Sequence, residues 1–207
     1  MIVIIIEQNI VGETMNLLLI ILIVIIIIIL VAIVAIYNGL VTARNKVKNA
    51  WAQIDVQLNR RADLIPNLVE TVKGYAAHES ETLEGVIAAR SKATQITVDP
   101  QDLSAEALKK YQAAQGELGA ALGKLLAITE NYPDLKANQN FLELQSQLEG
   151  TENRITVERQ KFNNVAKEYN TGIRKFPKNI LAGMFGFERK AYFEANEGAD
   201  KAPVVEF

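Results

Sequence analysis

Hydrophobic positions along the chain follow two different rules, and the switch falls at Tyr37. From Leu17 to Ile36 the sequence reads LLLIILIVIIIIILVAIVAI, twenty consecutive apolar residues. A helix of about twenty residues, rising about 1.5 Å per residue, spans the roughly 30 Å hydrocarbon core of a bilayer. The β-branched richness does not argue for a strand, because a lone strand in lipid leaves its backbone groups unbonded. A cleaved signal peptide has an apolar core of about 7–15 residues after a basic start. This run is longer, is preceded by Glu7 and Glu13 with no lysine or arginine, and has no A-x-A site after it. The pattern predicts a retained transmembrane helix at 17–36. Residues 1–16 form a separate segment. Its IVIII at 2–6 is too short to span, and Met15 heads a conventional anchor start, so initiation at Met15 is an expectation that mass spectrometry of the mature N-terminus checks.

Beyond Tyr37 apolar residues recur at intervals of three and four, the period of one helix face. Val47, Trp51 (or Ala50), Ile54, Leu58, Ala62 and Ile65 trace one stripe. Leu68, Val72, Tyr75, Leu83 and Ile87 trace a less regular second. Leu108, Tyr111, Gln115, Leu118, Leu122 and Leu125 trace a third. The fourth runs through Leu144, Leu148, Thr151, Ile155, Glu158, Phe162, Val165, Tyr169, Ile173 and Phe176 in steps of four and three, a coiled-coil-like spacing. Three breaks separate the stripes. Asp63-Leu64-Ile65-Pro66 is the first, since the residue before a proline is pushed out of the helical region and Asp63 is a capping type. Thr97–Pro100, followed by the cap-forming Ser104, is the second, and Asn131–Asp134 the third. The expected fold is all-α: one N-terminal transmembrane helix followed by an up-and-down antiparallel four-helix bundle over 37–176. Pro66 leaves a second reading, a kink in one helix running to about residue 95. An aromatic C-terminal segment at 177–195 and a loose tail at 196–207 complete the division.

Charge and composition narrow the class. About 170 of the 207 residues follow the span, enough for one domain with a core. A net charge of −2 gives no cationic face for nucleic acid. With no cysteine there are no disulfides, thiolate metal sites or thiol nucleophiles. Arg44, Lys46 and Lys48 follow the span while no basic residue precedes it. The positive-inside bias therefore places the domain in the cytoplasm.

Catalytic patterns are missing. His78 is the only histidine, so no His-based zinc site or H-E-x-x-H exists. No phosphate-binding glycine loop follows a strand, and no serine has a recognisable base beside it. The expectation is a non-enzyme with no catalytic residue, metal site or cofactor. One polar constellation stands out: Arg60, Arg61, Asp63, Asn67 and Glu70 around the first break, with a second set from Glu149 to Arg154 in the fourth stripe. Arginine opposite carboxylate fits inter-helix pairing or a protein-contact site. In an up-down-up-down order the fourth helix ends back beside the bilayer. There, Phe176, Met184, Phe185, Phe187, Tyr192 and Phe193, mixed with cations, read either as a flap on the bundle or as a membrane or partner contact.

The strings RRADLIPNL, YPDLKANQNF and GTENRI, together with YNTGIRKFPKNILAGMFGFERKAYFEA, resemble the LemA family from about Tyr37 to Ala195. The resemblance implies a bacterial cytoplasmic-membrane protein with a helical bundle and no established enzymatic activity. It also implies relatives associated with HtpX-type membrane metalloproteases and with membrane-bounded bacterial compartments. The expected partners are the lipid bilayer, further copies of the chain in a homo-oligomeric scaffold and, in the alternative adaptor reading, a membrane metalloprotease. A span of Leu, Ile, Val and Ala has no polar group or G-x-x-x-G spacing to hold copies together, so any assembly would rest on the soluble part.

Overall fold

The computed structural model describes residues 2–100 and 103–194. The tail expected at 196–207 lies outside them. Six helices follow in order: α1 (Ile2–Lys73), α2 (Ser80–Gln95), α3 (Ala105–Thr129), α4 (Pro133–Lys136), α5 (Gln139–Gly172) and α6 (Lys178–Met184). Among the described residues there is no strand. The chain divides into two compact units, Met1–Ala43 with Gly172–Glu188, and Arg44–Thr171 with Arg189–Phe207.

The second unit is the bundle, and its inter-helix contacts fix the directions of its helices. Along α1, Trp51 meets Phe162, Arg61 meets Glu152 and Tyr75 meets Asn138, so α5 runs antiparallel to α1. Lys92 pairs with Glu117 while Glu79 meets Tyr132, which makes α2 and α3 antiparallel too. The stripes on α1 and α3 line the core, together with Phe141, Leu148, Ile155, Phe162 and Tyr169 of α5. Val47, Trp51, Ile54, Leu58, Ala62 and Ile65 are all buried, as are Leu108, Tyr111, Gln115, Leu118, Leu122 and Leu125. Ser104 caps α3 by accepting from the Ala107 N–H at 3.3 Å, and Asn138 accepts from the Phe141 N–H at 3.0 Å ahead of α5. The third break holds a single helical turn, α4, which buries Leu135.

The first break is corrected. Pro66 sits inside α1, which continues to Lys73, and the turn comes at Gly74–Glu79. Helix α2 is a separate helix of 16 residues that stops at Gln95, so the reading of one helix running to about residue 95 does not hold. A proline in a helix interior removes one hydrogen bond and leaves the carbonyl four residues earlier without its donor. That carbonyl belongs to Ala62, and the Arg90 Nε–H of α2 donates to it at 2.7 Å. A neighbouring helix thus supplies the missing donor, and the helix survives its proline. The displaced turn resets the helical phase. Tyr75 and Ile87, placed on the second stripe, are exposed, and α2 buries Leu83, Val86 and Ala93 instead. Phe176 leaves the fourth stripe for the same reason, because α5 ends at Gly172.

In the first unit, α1 carries the apolar run. The large side chains from Leu17 to Val31 are between 46 % and 64 % exposed, which excludes a core helix. The run is long and apolar enough to cross a membrane. Past its end Tyr37 packs edge-on to Phe185 and Phe187, with ring centroids 4.9 and 6.0 Å away. Helix α6 closes on Gly186, whose φ of +67° places it in the left-handed region that favours glycine. The Phe187 N–H then reaches the Ala182 carbonyl at 2.9 Å, a Schellman closure that turns the Phe187 ring inward.

Candidate functional site

Arg61 is the centre of the bundle's polar interior. Its position on α1, three residues after Leu58 and four before Ile65, puts it on the buried face, and its side chain is 4 % exposed. Nη1 donates to the Glu152 carboxylate of α5 at 2.6 Å. Nη2 donates to the Gln115 side-chain oxygen and, at 3.3 Å, to the Gln115 carbonyl of α3. The Gln115 amide in turn donates to the Ala93 carbonyl of α2 at 3.4 Å. Two side chains, Arg61 and Gln115, therefore tie all four bundle helices together. The remainder of the polar constellation separates from them. Arg60, Asp63, Asn67 and Glu70 are exposed on other faces of α1, Asp63 caps nothing, and Glu70 lies 3.9 Å from Lys73. Of the second set, Glu152 turns inward to Arg61 while Glu149, Asn153 and Arg154 stay exposed.

A cavity of about 280 Å³ opens between α1, α2 and α3, bordered by Trp51, Asp55, Tyr111 and Gln115. Its volume is just below the range of about 300–1,000 Å³ usual for ligand pockets. Its polar groups satisfy one another: Asp55 accepts from the Tyr111 hydroxyl at 3.3 Å and from the Asn59 amide at 3.2 Å. Burial first, and the Asp55 charge second, push the Tyr111 hydroxyl far above its ordinary pKa. The hydroxyl stays protonated near neutral pH and donates to Asp55. Arg159 of α5 is lowered by burial and by the Arg61 charge, and its guanidinium lies 5.1 Å from the centroid of the Phe193 ring. Among the described residues no group of three or more His, Cys, Asp or Glu side chains is arranged to hold a metal.

The C-terminal segment divides between the two units. In the bundle unit, the stretch from Lys190 to Phe193 has no regular secondary structure and is held by two asparagines of α5. Asn170 donates to the Lys190 carbonyl at 2.8 Å and accepts from its N–H at 2.9 Å. Asn163 does the same with Phe193, both bonds being 2.8 Å. The Phe193 ring stacks on Trp51 and meets Phe162 edge-on. Tyr192, 38 % exposed, bonds to Asn170. In the other unit Phe187 is buried, while Phe176, Ile180, Met184 and Phe185 are open to solvent. Sequence reasoning missed the two clamps. Asn163 and Asn170 lie seven residues apart, two helical turns, and flank the buried Phe162 and Tyr169, which is the signal that could have marked them.

Fold and site together define an all-α, membrane-associated bundle protein whose interior polar groups join its helices. The chain belongs to the LemA family, whose model matches residues 50–207. Magnetosome protein MamQ of Magnetospirillum gryphiswaldense and magnetosome protein MamQ 1 of Paramagnetospirillum magneticum are each 28 % identical to it over 186 residues, covering 82 % of this chain and 68 % of theirs. Protein LemA of Metamycoplasma hominis is 28 % identical over 163 residues, covering 77 % of this chain and 69 % of its own.

Proposed function

We propose that this chain is a non-enzymatic scaffold, anchored in the bacterial cytoplasmic membrane by the 17–36 helix, that associates with further copies of itself. The observation that carries this reading is the use of the interior polar groups. Arg61, Glu152 and Gln115 bond across helices, and Asn163 and Asn170 hold the C-terminal segment. An enzyme needs a nucleophile, base or oxyanion donor that converges on an open centre, and these groups converge on one another. The relatives' names, a magnetosome protein and a protein LemA, specify no reaction, which also supports a structural role. Arg44, Lys46 and Lys48 after the span favour a cytoplasmic bundle, as the positive-inside bias counts them.

The test is assembly. Full-length protein purified in mild detergent, then moved to nanodiscs large enough for several copies, is expected to size as a homo-oligomer and to co-purify mainly with itself. A monomer in both settings would refute the scaffold. Stoichiometric recovery of a membrane metalloprotease would replace it with the adaptor reading. A reporter fused after Phe207 checks the topology, and activity of a periplasmic phosphatase fusion would put the bundle on the other side.

A further inference from the structure

Helix α6 has an unusual pair of faces. Inward it buries Leu181 and Ala182, with Phe187 closing its end. Outward, Ile180 and Met184, four residues apart on the helix, are 53 % and 71 % exposed, with Phe185 beside them, and Phe176 in the turn ahead of the helix is 81 % exposed. A short surface helix in water carries polar residues on its outer face. This one exposes Lys178 and Asn179 only in its first turn, and the rest of its outer side, Ile180 and Met184, is apolar and has no water-side explanation. Within the segment the charge has one sign, and the nearest carboxylates along the chain, Glu168 and Glu188, flank it. Arg174, Lys175 and Lys178 are exposed, and no acidic residue occurs from Tyr169 to Phe187. Among the described residues none of the three cations has an ion-pair partner.

Position supplies the occupant. Phe185 lies 4.9 Å from Tyr37, the residue that directly follows the 17–36 span, and both belong to the same compact unit. The headgroup layer on each side of a bilayer is about 5–8 Å deep, and an aromatic residue at a span's end sits at that level. A ring packed against Tyr37 is held at the same depth. We propose that the segment Phe176–Phe185 is an interfacial lipid-binding hook. Phe176, Ile180 and Met184 insert at the boundary between headgroups and acyl chains, while Arg174, Lys175 and Lys178 meet the phosphates of anionic lipids. Each such cation near an anionic leaflet favours binding by about fivefold. This proposal rests on the reading that the 17–36 helix spans a bilayer.

The chain has no cysteine, so a single introduced one is an unambiguous label site. Three full-length variants, Met184→Cys, Val24→Cys in the span and Ile87→Cys on the exposed side of α2, are labelled with an environment-sensitive fluorophore. Each is placed in nanodiscs containing brominated lipid, with and without an anionic fraction. The expected result is strong lipid quenching at 24, none at 87, and clear quenching at 184 that at least doubles with anionic lipid. Replacing Arg174, Lys175 and Lys178 by glutamine should remove the anionic increment. Quenching at 24 with 184 behaving like 87 would overturn the hook and leave the anchor standing. No quenching at 24 would overturn the anchor and the hook together. A label at 184 shielded from aqueous quencher yet untouched by brominated lipid would assign the face to a protein, a second copy included, and so overturn the lipid assignment.

Discussion

The polar segment around Arg61 and the aromatic segment from Phe176 to Phe193 treat their side chains in opposite ways. Arg61 is buried and Arg60, its neighbour, is exposed. Phe193 is 6 % exposed and Phe176 is 81 % exposed. Residue type does not separate these cases; the presence of a partner does. Arg61 faces a carboxylate and an amide on two other helices, so the cost of removing its charge from water is offset by three bonds. Phe193 has a backbone clamp and two rings to meet, whereas nothing among the described residues covers the Phe176 ring. A charge without a partner stays in water at no cost. An apolar ring left in water is unfavourable, and that imbalance makes the exposed face of α6, rather than the charges of α1, the part of the molecule that calls for something outside the chain.

The strongest way to break the comparison is to truncate rings from both classes. Phe162 is fully buried between Trp51 and Phe193, and Phe→Ala in a core costs about 3–5 kcal/mol. Phe162→Ala should lower the melting temperature of the detergent-purified chain by many degrees. Phe193→Ala should follow with a smaller loss, since a segment outside the helices, held by two asparagine clamps and ring contacts, can detach instead of enclosing a cavity. Phe176→Ala and Lys161→Ala should stay within about 0.5 kcal/mol of the parent. Circular dichroism melts that rank Phe176 with Phe193 would show the aromatic segment is not divided as described.

The polar segment offers the next largest contrast. Arg61→Ala removes the donor that joins α1 to α3 and α5 and leaves the Gln115 side-chain oxygen without its donor inside the bundle, a loss of about 2–4 kcal/mol. Arg60→Ala should fall within about 0.5 kcal/mol. Comparable chemical-denaturation midpoints for the two would mean that Arg61 is not the lock.

How much of this was readable beforehand depends on whether a feature is periodic or relational. The stripes of α1 and α3 were legible in full, because burying one helix face forces apolar residues to recur at three and four. Whether Pro66 breaks the helix or lies within it stays open in the sequence, because the remedy lies 24 residues away, on Arg90, and a side chain that donates across helices leaves no local pattern. The two polar sets at Arg60–Glu70 and Glu149–Arg154 were visible as sets. Which members would meet was not, since Arg61 and Glu152 find each other only once the helices are antiparallel and in register. The aromatic segment was legible as amphipathic, but its division into clamped and exposed parts depends on Asn163 and Asn170, which look like ordinary surface asparagines on a polar helix.

The proline rescue can be sharpened by a double-mutant cycle. Arg90→Ala leaves the Ala62 carbonyl without a donor and should cost about 1–3 kcal/mol. On a Pro66→Ala background the backbone N–H at 66 returns and can serve that carbonyl, so the same Arg90 change should cost distinctly less. The coupling between the two sites is the quantity of interest. A cost for Arg90→Ala that is the same on both backgrounds would show that Arg90 acts through packing or charge and not through the carbonyl.

The smallest expected effect lies in the Tyr111–Asp55 pair and appears only in alkali. The Tyr111 hydroxyl is raised in the folded chain, first by burial and then by the Asp55 charge. The folded state therefore holds that proton more tightly than the unfolded chain, where tyrosine loses it near pH 10. The sign follows from linkage: the stabilisation is fully present below about pH 10 and is lost as pH rises through and beyond it. Tyr111→Phe removes the titrating group and, with it, only a 3.3 Å hydrogen bond to a partly exposed carboxylate. At pH 7 the variant should differ from the parent by about 1 kcal/mol. Between pH 9 and 11, denaturant midpoints should fall less steeply for Tyr111→Phe than for the parent. Parallel slopes would mean that Tyr111 ionises no differently in the folded chain, and that its bond to Asp55 does not hold the proton inside the bundle.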